Sequence, residues 1–434
     1  ALRGSLRWMP DERRLVDLIV NYERDRPSAM ALKALRFAPS EPVSGRLLGD
    51  LDRSGGVALS GREEGGLPAP LGLDRTLASA ALLVDWRLGG GWKLSSVTGL
   101  RRFDADERQD ADGTGLPVVS ILEETRAWQA SQELRLHFDG DARWSGFMGV
   151  NVFHERGTQR ATFVHDERLL LARFVDAITP VPQPLGVLTD DDALAAWVAS
   201  YAAAHGLTLP AGQAQAIAAR LKPTYVEVNQ NFGDTRSYEA FGELVWRPVK
   251  RWEITVGLRY SRDEKESAVA TSSPLGASTL GGLVMASASP AAPALLERLA
   301  KGDLGGQGLV FQPTAGNGGR VGHHLDGDGW SWRLAVLHAP TNDLRLYASY
   351  ARGRRPTVLV AAAPSAPYGP ARFPIVPSEV VDSIEAGVRY RAPGGRLHLT
   401  GGVYAYDYRH FQTTKAVAGV LRTLDVGDAD GLGF

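Results

Sequence analysis

Ser237-Tyr-Glu-Ala-Phe-Gly-Glu-Leu-Val-Trp-Arg-Pro-Val-Lys-Arg-Trp-Glu-Ile-Thr-Val-Gly-Leu-Arg-Tyr260 reads as two strands joined by a tight turn at Pro248. Strand side chains alternate between faces, so the second half puts Trp252, Ile254, Val256, Leu258 and Tyr260 on one side. Glu253, Thr255, Gly257 and Arg259 take the other. The first half repeats the division. Tyr238, Ala240, Gly242, Leu244 and Trp246 share a face, and Glu239, Glu243 and Arg247 oppose them, with Phe241 and Val245 as exceptions. Each apolar face carries an aromatic residue at both ends.

The same alternation recurs outward in both directions. Leu2, Gly4, Leu6 and Trp8 alternate with Arg3, Ser5 and Arg7, and Val16, Leu18, Val20 and Tyr22 with Asp17, Ile19, Asn21 and Glu23. Leu344, Leu346, Ala348 and Tyr350 alternate with Arg345, Tyr347 and Ser349, and Ile384, Ala386, Val388 and Tyr390 with Ser383, Glu385, Gly387 and Arg389. About six hairpins follow. Tight turns near Pro10, Gly89–Gly91, Asp139–Asp141, Pro248, Asn342 and Pro393–Gly395 alternate with loops of roughly 15 to 75 residues. A soluble antiparallel sandwich also alternates, but it rarely keeps all its long loops at one end. From Trp252 to Tyr260, at about 3.3 Å per residue and a tilt near 40°, the apolar stripe spans roughly 20 Å, close to the ~25 Å apolar band of an outer-membrane barrel. The fold expected is all-β: an antiparallel transmembrane β-barrel of about twelve strands, with the apolar stripes facing lipid and the charged stripes a lumen.

Composition narrows the function. The 434 residues carry a formal charge of −1 and no cysteine. A near-neutral balance gives no basic face for nucleic acid, and zero cysteines exclude thiolate metal sites, disulfides and cysteine nucleophiles. There is no window of about 20 apolar residues for a membrane helix. Nor does any segment resemble a signal peptide; the chain is in strand-like alternation from Ala1, so an export signal is expected outside it. Two long loops are expected at the external end. One, 157–233, holds two helices: Ala193 to His205 behind the acidic start Thr189-Asp-Asp-Asp192 and ended by Gly206, and Ala211 to Lys222 ended by Pro223. The other, 267–328, is rich in Gly, Ser and Pro, and Ser267 to Leu296 reads as plain loop.

Few residues suggest chemistry. There is no G-x-S-x-G and no H-E-x-x-H, and Gly316-Asn-Gly-Gly319 lacks the strand-to-helix setting of a phosphate cradle. No catalysis and no cofactor are expected. Gly322-His-His-Leu-Asp-Gly-Asp328 offers His323, His324, Asp326 and Asp328 as weak metal candidates, against a solvated loop before the strand at Trp330. Adjacent histidines in a strand point to opposite faces, so metal binding there needs a loop. Asp104, Asp106, Asp110 and Asp112 lack the full calcium-loop spacing and read as a solvated loop. For ligand binding the candidates are Arg354, Arg355, Tyr368, Arg372 and Phe373, between two strands, because arginine forks hold anions and aromatic rings pack organic scaffolds. Lipopolysaccharide contact or loop packing is the plainer alternative.

Several strand sequences resemble the TonB-dependent receptor family, iron-complex type. They are Glu124 to Leu136 (ETRAWQASQELRL), Ser237 to Leu244 (SYEAFGEL) and Ile254 to Lys265 (ITVGLRYSRDEK). Asp343 to Gly353 (DLRLYASYARG), Val381 to Val388 (VDSIEAGV) and Tyr404 to Gln412 (YAYDYRHFQ) continue them in the family's order. The resemblance implies a 22-stranded barrel plugged by an N-terminal domain, of which this chain holds about strands four to fifteen. It implies uptake of a scarce ligand, a ferric siderophore foremost, energised by the TonB complex of the inner membrane acting through a plug that this stretch lacks. Cobalamin, haem or an oligosaccharide are alternative ligands, and a passive porin is the rival function. The final Phe434, after Asp428-Ala-Asp-Gly431, does not read as a closing strand.

Overall fold

The computed structural model describes residues 1–27, 71–112, 118–139, 143–178, 191–417 and 420–434. Six long hairpin strands come first: β1 (Leu2–Asp11), β2 (Arg14–Asp25), β3 (Gly72–Gly89), β4 (Trp92–Asp110), β5 (Val119–Asp139) and β6 (Trp144–His165). Helices α1 (Glu167–Ile178), α2 (Asp191–Ala204) and α3 (Ala211–Ala218) separate these from β7 (Tyr225–Trp246) and β8 (Trp252–Ser272). Next come α4 (Thr279–Ser287), α5 (Ala292–Lys301), the one-turn α6 (Ala315–Gly318), β9 (Val321–His338) and β10 (Leu344–Arg355). The remainder is strand: β11 (Val358–Leu359), β12 (Ile375–Val376), β13 (Glu379–Arg391), β14 (His398–Arg409), β15 (Gln412–Val417), β16 (Val420–Asp425) and β17 (Ala429–Gly433). Thirteen of these form one antiparallel sheet in the order β1 to β10, β13, β14, β17, while β11–β12 and β15–β16 are separate two-stranded pieces.

Neighbours in sequence pair in space, and the register keeps parity. Leu6 faces Leu18, Leu82 faces Thr98, Val150 faces Ala240, Val256 faces Leu334, and Leu346 faces Val388. Even-numbered residues therefore share one face from β1 through β13; the parity switches where Ile384 meets Ala405 of β14 and switches back where Ala405 meets Leu432 of β17. A one-residue slip anywhere would turn a whole apolar stripe to the other side. The expected facing is reproduced. Trp252, Val256, Leu258, Leu346, Ile384 and Val388 stand exposed on the even face, with no second sheet among the described residues covering them. At the short-turn end the even face is ringed by aromatic contacts: Trp92 on Phe138 (4.7 Å), Trp144 stacked on Trp246 (5.5 Å) and Trp252 stacked on His338 (4.1 Å). Tyr260 on Trp330 (4.9 Å) marks the other boundary.

The tight turn between β3 and β4 shows why the loops at this end are short. Gly89, Gly90 and Gly91 all have positive φ (94°, 59° and 81°), a conformation costly for any residue with a Cβ. The turn at Asp139–Asp141 lies largely outside the described residues.

The thirteen strands agree with the expected count of about twelve, the last, Ala429–Gly433, pairing with β14 through Tyr404 to Tyr408. Four other expectations need correction. The loops expected at 157–233 and 267–328 are shorter, because β6 runs to His165, β7 starts at Tyr225, β8 runs to Ser272 and β9 starts at Val321. These strands rise well past the aromatic boundary into water, where a hydrophobic stripe is no longer required and the periodic signal stops. Among the described residues the first loop holds three helices rather than two. The unforeseen α1 begins at Asp166, whose Oδ1 accepts from the backbone N–H of Arg168 (2.8 Å) and Leu169 (3.3 Å) as an N-cap. The stretch Ser267 to Leu296 contains α4 and the start of α5 rather than plain loop: Ser278 caps α4 by accepting from Gly281 N (2.7 Å). Helix α3 also stops short of Lys222, whose N–H donates instead to Glu167 Oε2 (2.8 Å).

The only large dry core among the described residues belongs to these helices. Leu171, Val198, Ile217, Leu280 and Leu283 are fully buried in a shared cluster with Tyr201, Leu296 and Leu299. Sheet and helices thus divide the labour: the sheet makes a wall, the helices a packed cap at its long-loop rim.

Candidate functional site

On the odd face the wall carries cross-strand charge pairs. Arg7 meets Asp17 (2.8 Å), Arg247 meets Glu253 (3.0 Å), Arg259 meets Glu239, and Asn151 also donates to Glu239 (3.0 Å). Such exposed pairs add little stability. They keep the face wettable.

Higher up, past Tyr260, three cations converge around the odd-face residues Ser261 and Asp263; Arg354, although even-numbered, lies beyond the last β9–β10 pair and turns its guanidinium to that side. Arg354 Nη1 lies 3.8 Å from Asp263 Oδ2 and 3.4 Å from Ser261 Oγ, with both charged side chains about 9% exposed. Asp263 Oδ1 accepts from Ser237 Oγ (2.6 Å). Gly329 makes the room, since a Cβ there would sit 2.5 Å from Arg354 Cδ. Beside this pair Lys265 donates from Nζ to the carbonyl of Thr357 (2.7 Å). Burial pulls the Lys265 pKa below the ordinary lysine value, and the neighbouring Arg354 and Arg355 act in the same direction, against Asp263. Arg355 ends β10 with its side chain exposed, its Nη1 3.4 Å from Gln412 O. The sequence reading missed Lys265. Its signal was an odd-face cation on β8 just past the aromatic boundary.

The two candidate clusters meet at this rim. The His323 ring stacks on Phe373, centroids 5.5 Å apart at 26°. Arg372 forms a two-way backbone bridge with Ala362 (2.9 and 3.0 Å), continuing the β11–β12 ladder towards the tip of its loop. Tyr368, at φ +59°, donates its N–H to Pro313 O (2.8 Å) and lies against Gly306, where a Cβ would be 2.3 Å from its ring. It stands half exposed.

The stretch expected as a loop before Trp330 is strand, so His323 and His324 point to opposite faces. His324 pairs with Asp326 (2.9 Å) on the even face, the face that Asp328 shares, and His323 does not join them. Among the described residues no group of three or more His, Asp or Glu side chains is placed to hold a metal ion. Asp104, Asp106 and Asp110 likewise lie in β4 rather than in a loop. Arg102 pairs with Asp104 (2.8 Å) and Arg126 with Asp106 (2.7 Å), while Asp112 accepts from Val119 N (2.9 Å).

An apolar even face bounded by aromatics, a charged odd face and long strands joined alternately by short turns and long loops define a membrane wall. The profile of the TonB dependent receptor-like β-barrel family matches residues 34–431. The chain belongs to the TonB-dependent receptor β-barrel family.

No helix among the described residues is long and apolar enough to cross a membrane, and members of this family cross the outer membrane with strands. Among curated protein sequences none matches the chain. Solved TonB-dependent structures do. The ferric yersiniabactin uptake receptor FyuA of Yersinia pestis aligns with a TM-score of 0.56 at 15% identity, covering 99% of this chain and 47% of that one. The ferric-catecholate import receptor Fiu of E. coli K12 aligns at 0.49 and 14%, covering 99% and 53%. The siderophore receptor PiuA of Acinetobacter baumannii gives 0.48 and 12%, covering 99% and 52%. The chain thus spans about half the length of these TonB-dependent receptors, and at such identities the likeness concerns the fold.

Proposed function

We propose that this wall serves TonB-energised uptake of an anionic iron complex, most simply a ferric siderophore, across the outer membrane. The observation that carries the reading is the convergence of Lys265, Arg354 and Arg355 on the lumen face at the long-loop rim, beside the His323–Phe373 stack. Arg355 is exposed and can fork onto a carboxylate or phenolate by giving up its long Nη1 bond to Gln412 O, and Phe373 supplies a ring for the organic part. Arg354, held against Asp263, acts by positioning its neighbours. Names of structurally similar receptors that handle ferric complexes are consistent with this ligand class. TonB would act through a plug domain, and the long loops, with the helical cap, would be external. No catalytic step is part of the proposal.

The test is growth of a receptor-deficient strain on a ferric siderophore as sole iron source, complemented by the complete receptor gene. Lys265→Ala with Arg355→Ala should raise the siderophore concentration needed by tenfold or more, as expected for losing charge-assisted hydrogen bonds of about 1.5–3 kcal/mol. Unchanged dependence would remove the cationic site, and uptake persisting without TonB would favour a passive pore.

A further inference from the structure

The even face carries one further pattern where it leaves the apolar band at the long-loop end. Moving outward by one even-face position, Leu100 is followed by Arg102, Trp128 by Arg126 and His154 by Arg156. Tyr238 is followed by Arg236 and Tyr260 by Arg262. Five successive strands, β4 to β8, thus place an arginine directly outside the boundary. At the short-turn boundary β4, β7 and β8 carry Gly90, Pro248 and Lys250 in the corresponding places. The row of guanidinium groups belongs to one leaflet.

Strand register concentrates this row at one point. Trp128 on β5 faces Arg102 of β4 on one side and Arg156 of β6 on the other. Neighbouring strands lie about 4.8 Å apart, so the two arginines leave the wall roughly 10 Å from each other with the indole between them. With Arg126, Asp104 and Thr158 they line a hollow of about 410 Å³. Arg126 is committed to the wall, donating to Ala105 O (2.9 Å), Thr125 O (3.0 Å) and Asp106 Oδ1 (2.7 Å). The side chains of Arg102 and Arg156 are 73% and 61% exposed. Arg102 is steered by Asp104, one even position farther out (2.8 Å), and Asp104 also lies 3.5 Å from Arg126. Arg156 meets Asp234 only at 3.9 Å, and that carboxylate is engaged by His154 (3.0 Å). Three cations against one lining carboxylate leave the hollow positive. Directly below it Leu100, Trp128 and Val152 stand exposed on the lipid side.

We infer that Arg102 and Arg156 clamp the phosphate monoester of an outer-leaflet lipid headgroup across Trp128, with the acyl chains of that lipid lying on Leu100 and Val152. The long-loop end of such a barrel is the external one, which sets the leaflet. A phosphate monoester carries a charge of about −1.5 to −2 and three terminal oxygens, enough acceptors for two arginine forks. Guanidinium suits this role better than ammonium because its planar donors match the phosphate edge. An acidic protein segment fits worse, because its backbone would have to descend to the edge of the hydrocarbon, where unpaired amides are costly. The site lies on the opposite face of the wall from the cationic cluster and stands whether or not that cluster binds an iron complex.

The test counts bound lipid by native mass spectrometry on the complete receptor in nonionic detergent. The probes are phosphatidic acid, a lipid phosphate monoester, then phosphatidylcholine, and inorganic phosphate as the headgroup without its chains. The wild type should hold phosphatidic acid about tenfold or more tighter than phosphatidylcholine, and a tenfold molar excess of inorganic phosphate should leave it in place. Arg102→Gln with Arg156→Gln should remove that preference, at about fivefold per arginine, while Lys250→Gln at the opposite boundary leaves it intact. Equal retention of the two lipids overturns the proposal, as does a preference that the double variant keeps. Displacement by inorganic phosphate would assign the hollow to the free ion and overturn the lipid assignment equally. Should the double variant fail to fold, the two single variants decide in its place, each expected to lose about fivefold. Siderophore-dependent growth measured on the same variants separates this outcome from the fate of the uptake reading.

Discussion

At the scale of single residues, burial decides which side chains have consequences. His165 sits where protonation is costly, its pKa lowered from 6.5 to about 4 by burial. The unfolded chain therefore binds more protons than the folded one between those values, and the associated stability is lost as pH falls through that window. Glu167 and Glu227 are raised by burial and act oppositely, contributing stability at low pH that is lost as pH rises through their folded values. Comparing wild type with His165→Phe isolates the histidine. Hydrogen exchange of the α1 and α2 amides should show the wild type losing about 2 kcal/mol more opening free energy than the variant between pH 7 and pH 5. Equal losses would mean that His165 is charged in the fold. Arg354 gives a second prediction. Arg354→Ala leaves the Asp263 carboxylate buried without its cation and should destabilise the rim by about 2–3 kcal/mol, most of it restored by adding Asp263→Asn. An additive double mutant would show that the two do not interact.

At the scale of elements, the two faces of one strand should respond differently to the same change. Val256 on β8 is exposed on the even face midway between Trp252 and Tyr260, whereas Thr255 beside it faces the lumen with Glu253 and Arg259. Val256→Arg should cost about 2–4 kcal/mol of folding free energy in a bilayer, as expected for a cation at mid-membrane, and Thr255→Arg well under 1 kcal/mol. Reversible denaturation in lipid vesicles reports both numbers, and comparable costs would overturn the assignment of faces. Within strands, sequence periodicity was a reliable guide only where lipid imposes it. The segments Trp252–Tyr260 and Tyr238–Trp246 were legible, but the upper halves of β6, β7 and β8 were not, because water on one face and cap on the other impose no simple alternation. Helices α2 and α3 were legible from their stop signals, Gly206 and Pro223. Helix α4 was not: Thr279-Leu-Gly-Gly-Leu283 is poor in helix formers, and burial of Leu280 and Leu283 against α1 and α5 overrides propensity.

At the scale of the molecule, the sheet has ends. Among the described residues β1 pairs only with β2, and its side chains are exposed throughout. At the opposite end β17 covers only Tyr404 to Tyr408 of β14, with Leu432 85% exposed. In a bilayer each unpaired backbone group on such an edge costs several kcal/mol, so a few of them outweigh a domain's net stability of about 5–15 kcal/mol. Residues 1–434 expressed alone behind an export signal should therefore fail to restore growth of a receptor-deficient strain on ferric siderophores. TonB-dependent growth from that stretch alone would show that its edges close without further strands.

Alternation by itself determined which residues share a face, because a period of two admits only one assignment once one face is apolar; the aromatic ends of the stripes and the long loops at one end made that face a lipid face. Arginine and aromatic content near 354–373 offered ligand-binding candidates on residue type alone. What only the tertiary structure decided is which of those residues meet. His323 and Phe373 are fifty residues apart, Lys265 and Arg355 ninety, and no periodicity encodes the register that brings strands β8, β9 and β10 side by side. Nor does the sequence around His165 announce its burial. That depends on helices from two separate loops packing over it, and long-range packing leaves no local pattern to read.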